Sequence, residues 1–155
     1  MEDINGSSVP YVLFKAETSN LNLWITTSGI TYQFLKMGEE KKGKSESEDK
    51  QGEWHRVDMI LKEATIKKEN VISENSITRG EINYYLGHCP NGVFNVKTYT
   101  RITIKEVYPG IDWVIYTSPN GRIKHDFIVH PHADPGRIKL IYEGSGKLDI
   151  KDNQI

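Results

Sequence analysis

The stretch from Arg101 to Tyr142, RITIKEVYPGIDWVIYTSPNGRIKHDFIVHPHADPGRIKLIY, constrains the fold more than any other part of the chain. Ile102 and Ile104 alternate with Arg101, Thr103 and Lys105, the period of two that gives a strand one buried and one wet face. Tyr108-Pro109-Gly110 then reverses direction; proline followed by glycine is the type II preference, because glycine enters positive φ without a Cβ clash. Ile111 to Thr117 is apolar on both faces apart from Asp112, which predicts a strand covered on both sides. Ser118-Pro119-Asn120-Gly121 predicts a tight hairpin turn with Asn-Gly at its apex. Ile123, His125, Phe127 and Val129 then share one face of a strand, opposite Lys124, Asp126 and His130, and Pro131 stops it. After the turn Asp134-Pro135-Gly136, the alternation resumes at Ile138, Leu140 and Tyr142, and again at Leu148 and Ile150. Strands so close together leave no room for helical crossovers, so an antiparallel meander is expected.

These motifs also carry a resemblance. VYPGID, an aromatic strand, an Asn-Gly turn, a DFIV strand and the P-H-ADP turn, together with LNLWITTSGITYQF and INYYLG upstream, resemble a domain of unknown function found near the N-terminus of large bacterial surface and secreted proteins that carry SBBP (β-propeller type) repeats. The likeness runs from about Leu13 onward. It departs at His125, where tyrosine is usual, and at His132, where glycine is usual. The resemblance implies a β-rich, non-catalytic module of an exported protein, and it brings no active-site residues with it.

Upstream of the meander the same period continues. Tyr11 to Ala16 supplies a first strand; Leu21, Leu23 and Ile25 and then Ile30, Tyr32 and Phe34 form a hairpin about Thr27-Ser28-Gly29, with glycine at the left-handed position. Residues 38–53, GEEKKGKSESEDKQGE, mix acids and lysines without an apolar anchor and are expected to be a mobile charged loop. Trp54 to Lys68 fits two periods: Val57, Met59 and Leu61 a strand, Val57, Ile60, Leu61 and Ala64 a helical stripe. Strand is chosen because the resemblance places a sheet element there. Ile66 to Ile72 reads as a further strand, Ser73 to Gly80 as a polar turn, Ile82 to Leu86 as a strand, and Gly87 to Gly92 as a turn cluster leading to Phe94, Val96 and Thr98.

With 20 basic and 21 acidic residues among 155, the net charge of -1 provides no field to attract nucleic acid or an anionic membrane. No apolar run approaches a membrane span and no h-region opens the chain. The resemblance therefore implies a leader already removed before Met1. A single cysteine, Cys89, excludes an intrachain disulfide.

Four groups of residues could carry chemistry. His130 and His132 with Asp134 are the nearest approach to a metal set, but Pro131 spoils the strand geometry that would align the imidazoles, so exposed turn histidines are favoured and no metal or cofactor is expected. Asp112 and Asp126 could act as a glycosidase pair if both faced one cleft. The favoured reading gives Asp112 the task of satisfying backbone N–H groups beside the Pro-Gly turn. Cys89 beside His88 lacks a helix N-terminus to activate a thiolate and reads as a packed or exposed thiol. Trp24, Trp54 and Trp113 could form a sugar-stacking platform or an interface; Trp113 is assigned to the core, and the exposure of Trp24 separates packing from binding.

The sequence thus predicts one all-β, sandwich-like domain over residues 1–155 with about ten short antiparallel strands. Its expected core is Ile102, Ile104, Val114, Phe127, Val129, Ile138 and Leu140. The expected function is a structural or adhesive module of a secreted or cell-surface protein, with a carbohydrate-binding domain second and a glycoside hydrolase third. Expected partners are neighbouring domains of the same protein, a glycan or cell-surface component, or a second copy. That copy is expected at the edge carrying Leu148 and Ile150, whose return strand would lie beyond Ile155. No catalytic residue, nucleic acid or membrane insertion is expected.

Overall fold

The alternation is realised as strands throughout the described residues, 9–18, 21–36, 53–75, 81–86 and 89–146 of a computed structural model. In chain order these are β1 (Val12–Glu17), β2 (Leu21–Thr26), β3 (Gly29–Lys36), β4 (Glu53–Leu61), β5 (Val71–Asn75), β6 (Glu81–Leu86), β7 (Cys89–Lys97), β8 (Tyr99–Tyr108), β9 (Ile111–Thr117), β10 (Ile123–Val129) and β11 (Leu140–Glu143). Every pairing is antiparallel. The sheets are five-stranded (β1-β2-β3-β4-β11), four-stranded (β10-β9-β8-β5) and a two-stranded ribbon of β6 and β7. The fold class is all-β, as the sequence predicts.

The described residues divide into two compact units. One contains Glu63–Lys139 and holds the four-stranded sheet and the ribbon; the other contains Val12–Lys62 and the chain from Leu140, and holds the five-stranded sheet. The charged stretch 38–53 lies outside the described residues except for Glu53, which opens β4, and so does the stretch with Leu148 and Ile150.

In the four-stranded sheet, β9 is flanked on both sides, and Ile111 to Ile115 are buried in succession. Trp113 is completely buried, which withdraws an apolar surface on the order of 200 Å² and contributes on the order of 5 kcal/mol. Ile102, Ile104 and Val114 join it in the core as predicted. Phe127, Ile138 and Leu140 are only half-buried and Val129 is 40 % exposed. The correction has a simple cause for β10: it is an edge strand, so its side chains have a neighbour on one flank only.

Strand, as chosen, spans Glu53–Leu61. Four local readings change. Ile66 to Ile72 is not one strand: a 3-10 turn at Lys68–Asn70 precedes β5, which runs on to Asn75. Asn70 anchors that turn through its Nδ2, which donates to the Lys105 carbonyl at 3.2 Å. Cys89 to Gly92, read as part of a turn cluster, open β7 instead. In the β9-β10 hairpin the central turn residues are Pro119 and Asn120. The Gly121 N–H donates to the Ser118 carbonyl at 2.8 Å, and Gly121 itself lies at φ 78°, so proline's fixed φ displaces the Asn-Gly apex by one residue. Finally, the meander ends at β10. The chain turns at Pro131, Asp134 caps a 3-10 turn at Pro135–Arg137 through the Gly136 N–H at 2.9 Å, and β11 pairs with β4. The strand after the turn begins at Leu140, leaving Ile138 to close the 3-10 turn.

Gly29 stands at φ 152°, where the β2-β3 hairpin meets β4, and a Cβ there would lie 2.0 Å from the Met59 carbonyl oxygen. Glycine is required for close approach as well as for φ. Gly29→Ala is therefore expected to cost more than about 2 kcal/mol in urea denaturation. Gly121→Ala, where the new Cβ meets nothing within 4 Å, is expected to cost only about 1 kcal/mol, from φ alone.

Candidate functional site

The site grows from an irregularity in β8. Its pairing with β9 runs regularly to Ile104↔Trp113, then shifts before Tyr108↔Ile111, and Glu106 within the shift adopts φ 55°. Such a bulge turns a backbone N–H out of the ladder. Asp112, across on β9, supplies the missing acceptor: its Oδ1 takes the Glu106 N–H at 3.0 Å. Its Oδ2 accepts from Lys105 Nζ at 2.6 Å and lies 2.9 Å from His130 Nε2. The Asp112 side chain is 1 % exposed, while those of Lys105 and His130 are each 44 % exposed, so a buried anion faces two cations or donors at the rim.

Burial alone would push the Asp112 carboxyl up. The Lys105 ammonium, the Glu106 N–H and the His130 ring more than offset it and hold the group below its ordinary value of 3.8. The surroundings are tied down in the same way. Glu106 accepts the Gly110 N–H at 3.1 Å, the Gly110 carbonyl accepts the His130 N–H at 2.9 Å, and Thr65 N–H donates to the Val107 carbonyl at 2.8 Å. Gly110, at φ 70°, has no room for a side chain, since a Cβ would come within 2.8 Å of that of Ala133.

The structure therefore joins residues that the sequence places in separate candidate sets. His130 turns to Asp112, whereas Asp134 is taken up by the Gly136 N–H. His132 is exposed at φ 70°, a conformation that favours glycine. Among the described residues no group of three or more His, Cys, Asp or Glu side chains is placed to hold a metal ion. Asp126 is exposed on β10, and its carboxylate pushes the Tyr116 phenol up. His125 accepts from Trp113 Nε1 at 3.3 Å, and burial pushes its imidazole down. Trp113 also stacks on Phe127 with ring centroids 6.3 Å apart. His88 lies outside the described residues.

A second polar cluster occupies the five-stranded sheet. The register places Lys15, Trp24, Thr31, Asp58 and Glu143 in one row across all five strands, on the face opposite Leu23, Ile25, Ile30 and Met59. Arg56 grips Asp58 through Nε at 2.8 Å and Nη2 at 3.0 Å, and Thr31 donates to the same carboxylate at 2.5 Å. In the adjacent row Asn22 Nδ2 donates to Gln33 Oε1 at 3.3 Å. Trp24 is half-buried with Lys15 Nζ 5.9 Å from its ring centroid, and Trp54, on the same face, is 51 % exposed.

A family described as Domain of unknown function (DUF7948) matches residues 3–155. The chain belongs to that family. No curated protein and no solved structure matches this DUF7948 domain. Its sites are therefore read from their own geometry.

Lys105, Glu106, Thr31, Arg56 and Asp58 escape a reading by motif. A signal for the first two exists in the DUF7948 chain: the apolar positions of β8 shift from even to odd between Ile104 and Val107, and such a change of parity within one strand marks a bulge.

Asp112→Asn should lower stability by about 2 kcal/mol at neutral pH, because it weakens three charge-assisted bonds in a buried place. A depressed folded-state pKa contributes stability that is fully present above the unfolded value and is lost as pH falls through the folded value. The difference between wild type and Asp112→Asn in urea midpoints should therefore be constant near neutrality and close below about pH 4. His132→Gly should raise the unfolding free energy in urea slightly, by roughly 0.5 kcal/mol, as release from the left-handed region outweighs glycine's entropy.

Proposed function

We propose that this domain is a non-catalytic structural or adhesive module of an exported bacterial protein, acting beside SBBP repeats and contacting the neighbouring domains of the same polypeptide. One observation carries the reading. Asp112, the only buried carboxylate among the described residues, spends both oxygens on fastening the β8-β9 hairpin and the end of β10. A general acid or base needs an oxygen within reach of a substrate; a carboxylate saturated by an ammonium, a backbone N–H and an imidazole serves the fold. Asp126, the other half of the conceivable pair, is exposed on the edge strand β10. The sequence resemblance supports the exported, repeat-bearing context.

A carbohydrate-binding reading is favoured by one feature of the five-stranded sheet. Trp24 and Trp54 share its polar face and are separated by two strands and four residues along β4. That is roughly 10 Å across by 14 Å along, a span suited to an oligosaccharide, with the amides of Asn22 and Gln33 nearby. Aromatic rings beside amides and carboxylates stack on sugar faces while the polar groups read hydroxyls.

The wild-type domain is expected to give no turnover of a panel of chromogenic glycosides and no signal on a glycan array. Turnover abolished by Asp112→Asn or Asp126→Asn would replace the proposal with a hydrolase. Array binding lost on Trp24→Ala would establish the carbohydrate-binding reading instead.

A further inference from the structure

β10 ends the four-stranded sheet, and no described residue pairs with its outer side. The hydrogen bonds that flank its pairing with β9 show which backbone groups face outward. His130 N–H donates to the Gly110 carbonyl and Ser118 N–H to the Arg122 carbonyl, with Val129↔Ile111 and Thr117↔Ile123 as the end pairs between them. In an antiparallel ladder bonded and non-bonded pairs alternate. Arg122, Lys124, Asp126, Ile128 and His130 therefore bond inward, and Ile123, His125, Phe127 and Val129 present their N–H and C=O groups to the open edge. Among the devices that usually blunt an edge, this strand has no proline and no bulge, and its pairing with β9 is regular over all seven residues. Ile128 and Val129 are each 40 % exposed beside that edge.

We infer that the open edge of β10 pairs antiparallel with β10 of a second copy of this chain, with His125 opposite its own counterpart. Three registers place outward-facing residues opposite one another near the strand centre. Centred on His125, Lys124 of each copy faces Asp126 of the other, in the non-bonded positions where side chains approach most closely. Ile123 then faces Phe127, and Arg122 faces Ile128. Centred on Asp126, the two carboxylates would face each other, and centred on Phe127, Asp126 would face Ile128 and Lys124 would face His130. Only the first register pairs opposite charges, and it pairs them twice. Burial holds the His125 imidazole below its ordinary value, so the two facing copies carry little charge at neutral pH. The two-fold joins two four-stranded sheets into one of eight strands and leaves the backbone of Ile123, His125 and Phe127 bonded in both copies. A strand edge of this length buries less than a standard interface, so the dimer should be concentration-dependent, with a Kd in roughly the micromolar range.

Sedimentation equilibrium of the 155-residue chain, from roughly 1 to 500 µM, tests this. Wild type is expected to dimerise in that range. Lys124→Glu and Asp126→Lys, each confirmed as folded by circular dichroism, are each expected to weaken self-association by about tenfold or more. An equimolar mixture of the two should form a heterodimer. The carboxylate introduced at position 124 of one copy would then face the ammonium introduced at position 126 of the other, and the unaltered Asp126 and Lys124 would face each other across the two-fold. Should Asp126→Lys fail to fold, Lys124→Glu alone decides the register. In the other two registers position 124 faces Ile128 or His130, and reversing its charge leaves the dimer intact. A wild type that stays monomeric throughout, single variants that dimerise as wild type does, or a mixture that does not associate would overturn the inference.

Discussion

The bond between the Asp112 carboxylate and the Glu106 N–H is the constraint on which the first unit's sheet depends. β8 must bulge for its apolar side chains to change parity, with Ile102 and Ile104 buried before the bulge and Val107 and Tyr108 after it. The bulge strands a backbone donor, and an unsatisfied buried N–H costs about 1–3 kcal/mol. Asp112 removes that cost but introduces a larger one, a buried negative charge. Lys105 and His130 answer this second cost from the rim, where each keeps part of its side chain in water. The bulge, the aspartate and its two partners are thus one device, and removing any one of them takes a partner from another.

Position in the sheet, more than the composition of a strand, decides what each strand buries. β9 and β10 carry similar numbers of apolar residues, yet five consecutive residues of β9 are buried and none of β10 is. Trp113 explains part of the division. It takes up the centre of the sheet face and is stacked by Phe127 and bonded by His125, so β10 closes over the indole and keeps its other face toward solvent.

The sequence is legible where the physics is local. The Pro109-Gly110 turn, the double-sided burial of β9, the end of β10 at Pro131 and the core position of Trp113 all follow from residue types within a few positions of one another. What is not legible is partnership. Nothing in Leu140-Ile141-Tyr142 states that it will lie beside Met59 and Ile60 instead of Phe127, since any alternating strand can pair with any other of matching face. The same holds for β5, which pairs with β8 across the intervening β6-β7 ribbon. The link between Asp112 and His130 is illegible for the same reason: it depends on where β10 ends relative to the β8-β9 turn, which the hairpin register sets, not a motif.

The two sheets place their aspartates under different physical conditions. Asp58 and Asp112 are both held below the ordinary carboxylate range against the opposing effect of burial, Asp58 by Arg56 and Thr31, Asp112 by Lys105, Glu106 and His130. For Asp58 the balance is struck on a face that water reaches: its side chain is 24 % exposed and that of Arg56 is 70 % exposed. A pair so placed contributes little to stability, because solvent screens it and ordering two side chains costs entropy. The same exposure lets water take the place of Arg56 at those atoms, so losing the pair leaves no buried charge. Asp112 has no such freedom, since displacing any donor from it would leave a buried charge short of a partner. The two aspartates thus differ in kind: Asp112 is fixed by the fold that it fastens, whereas Asp58 is held by partners that water reaches.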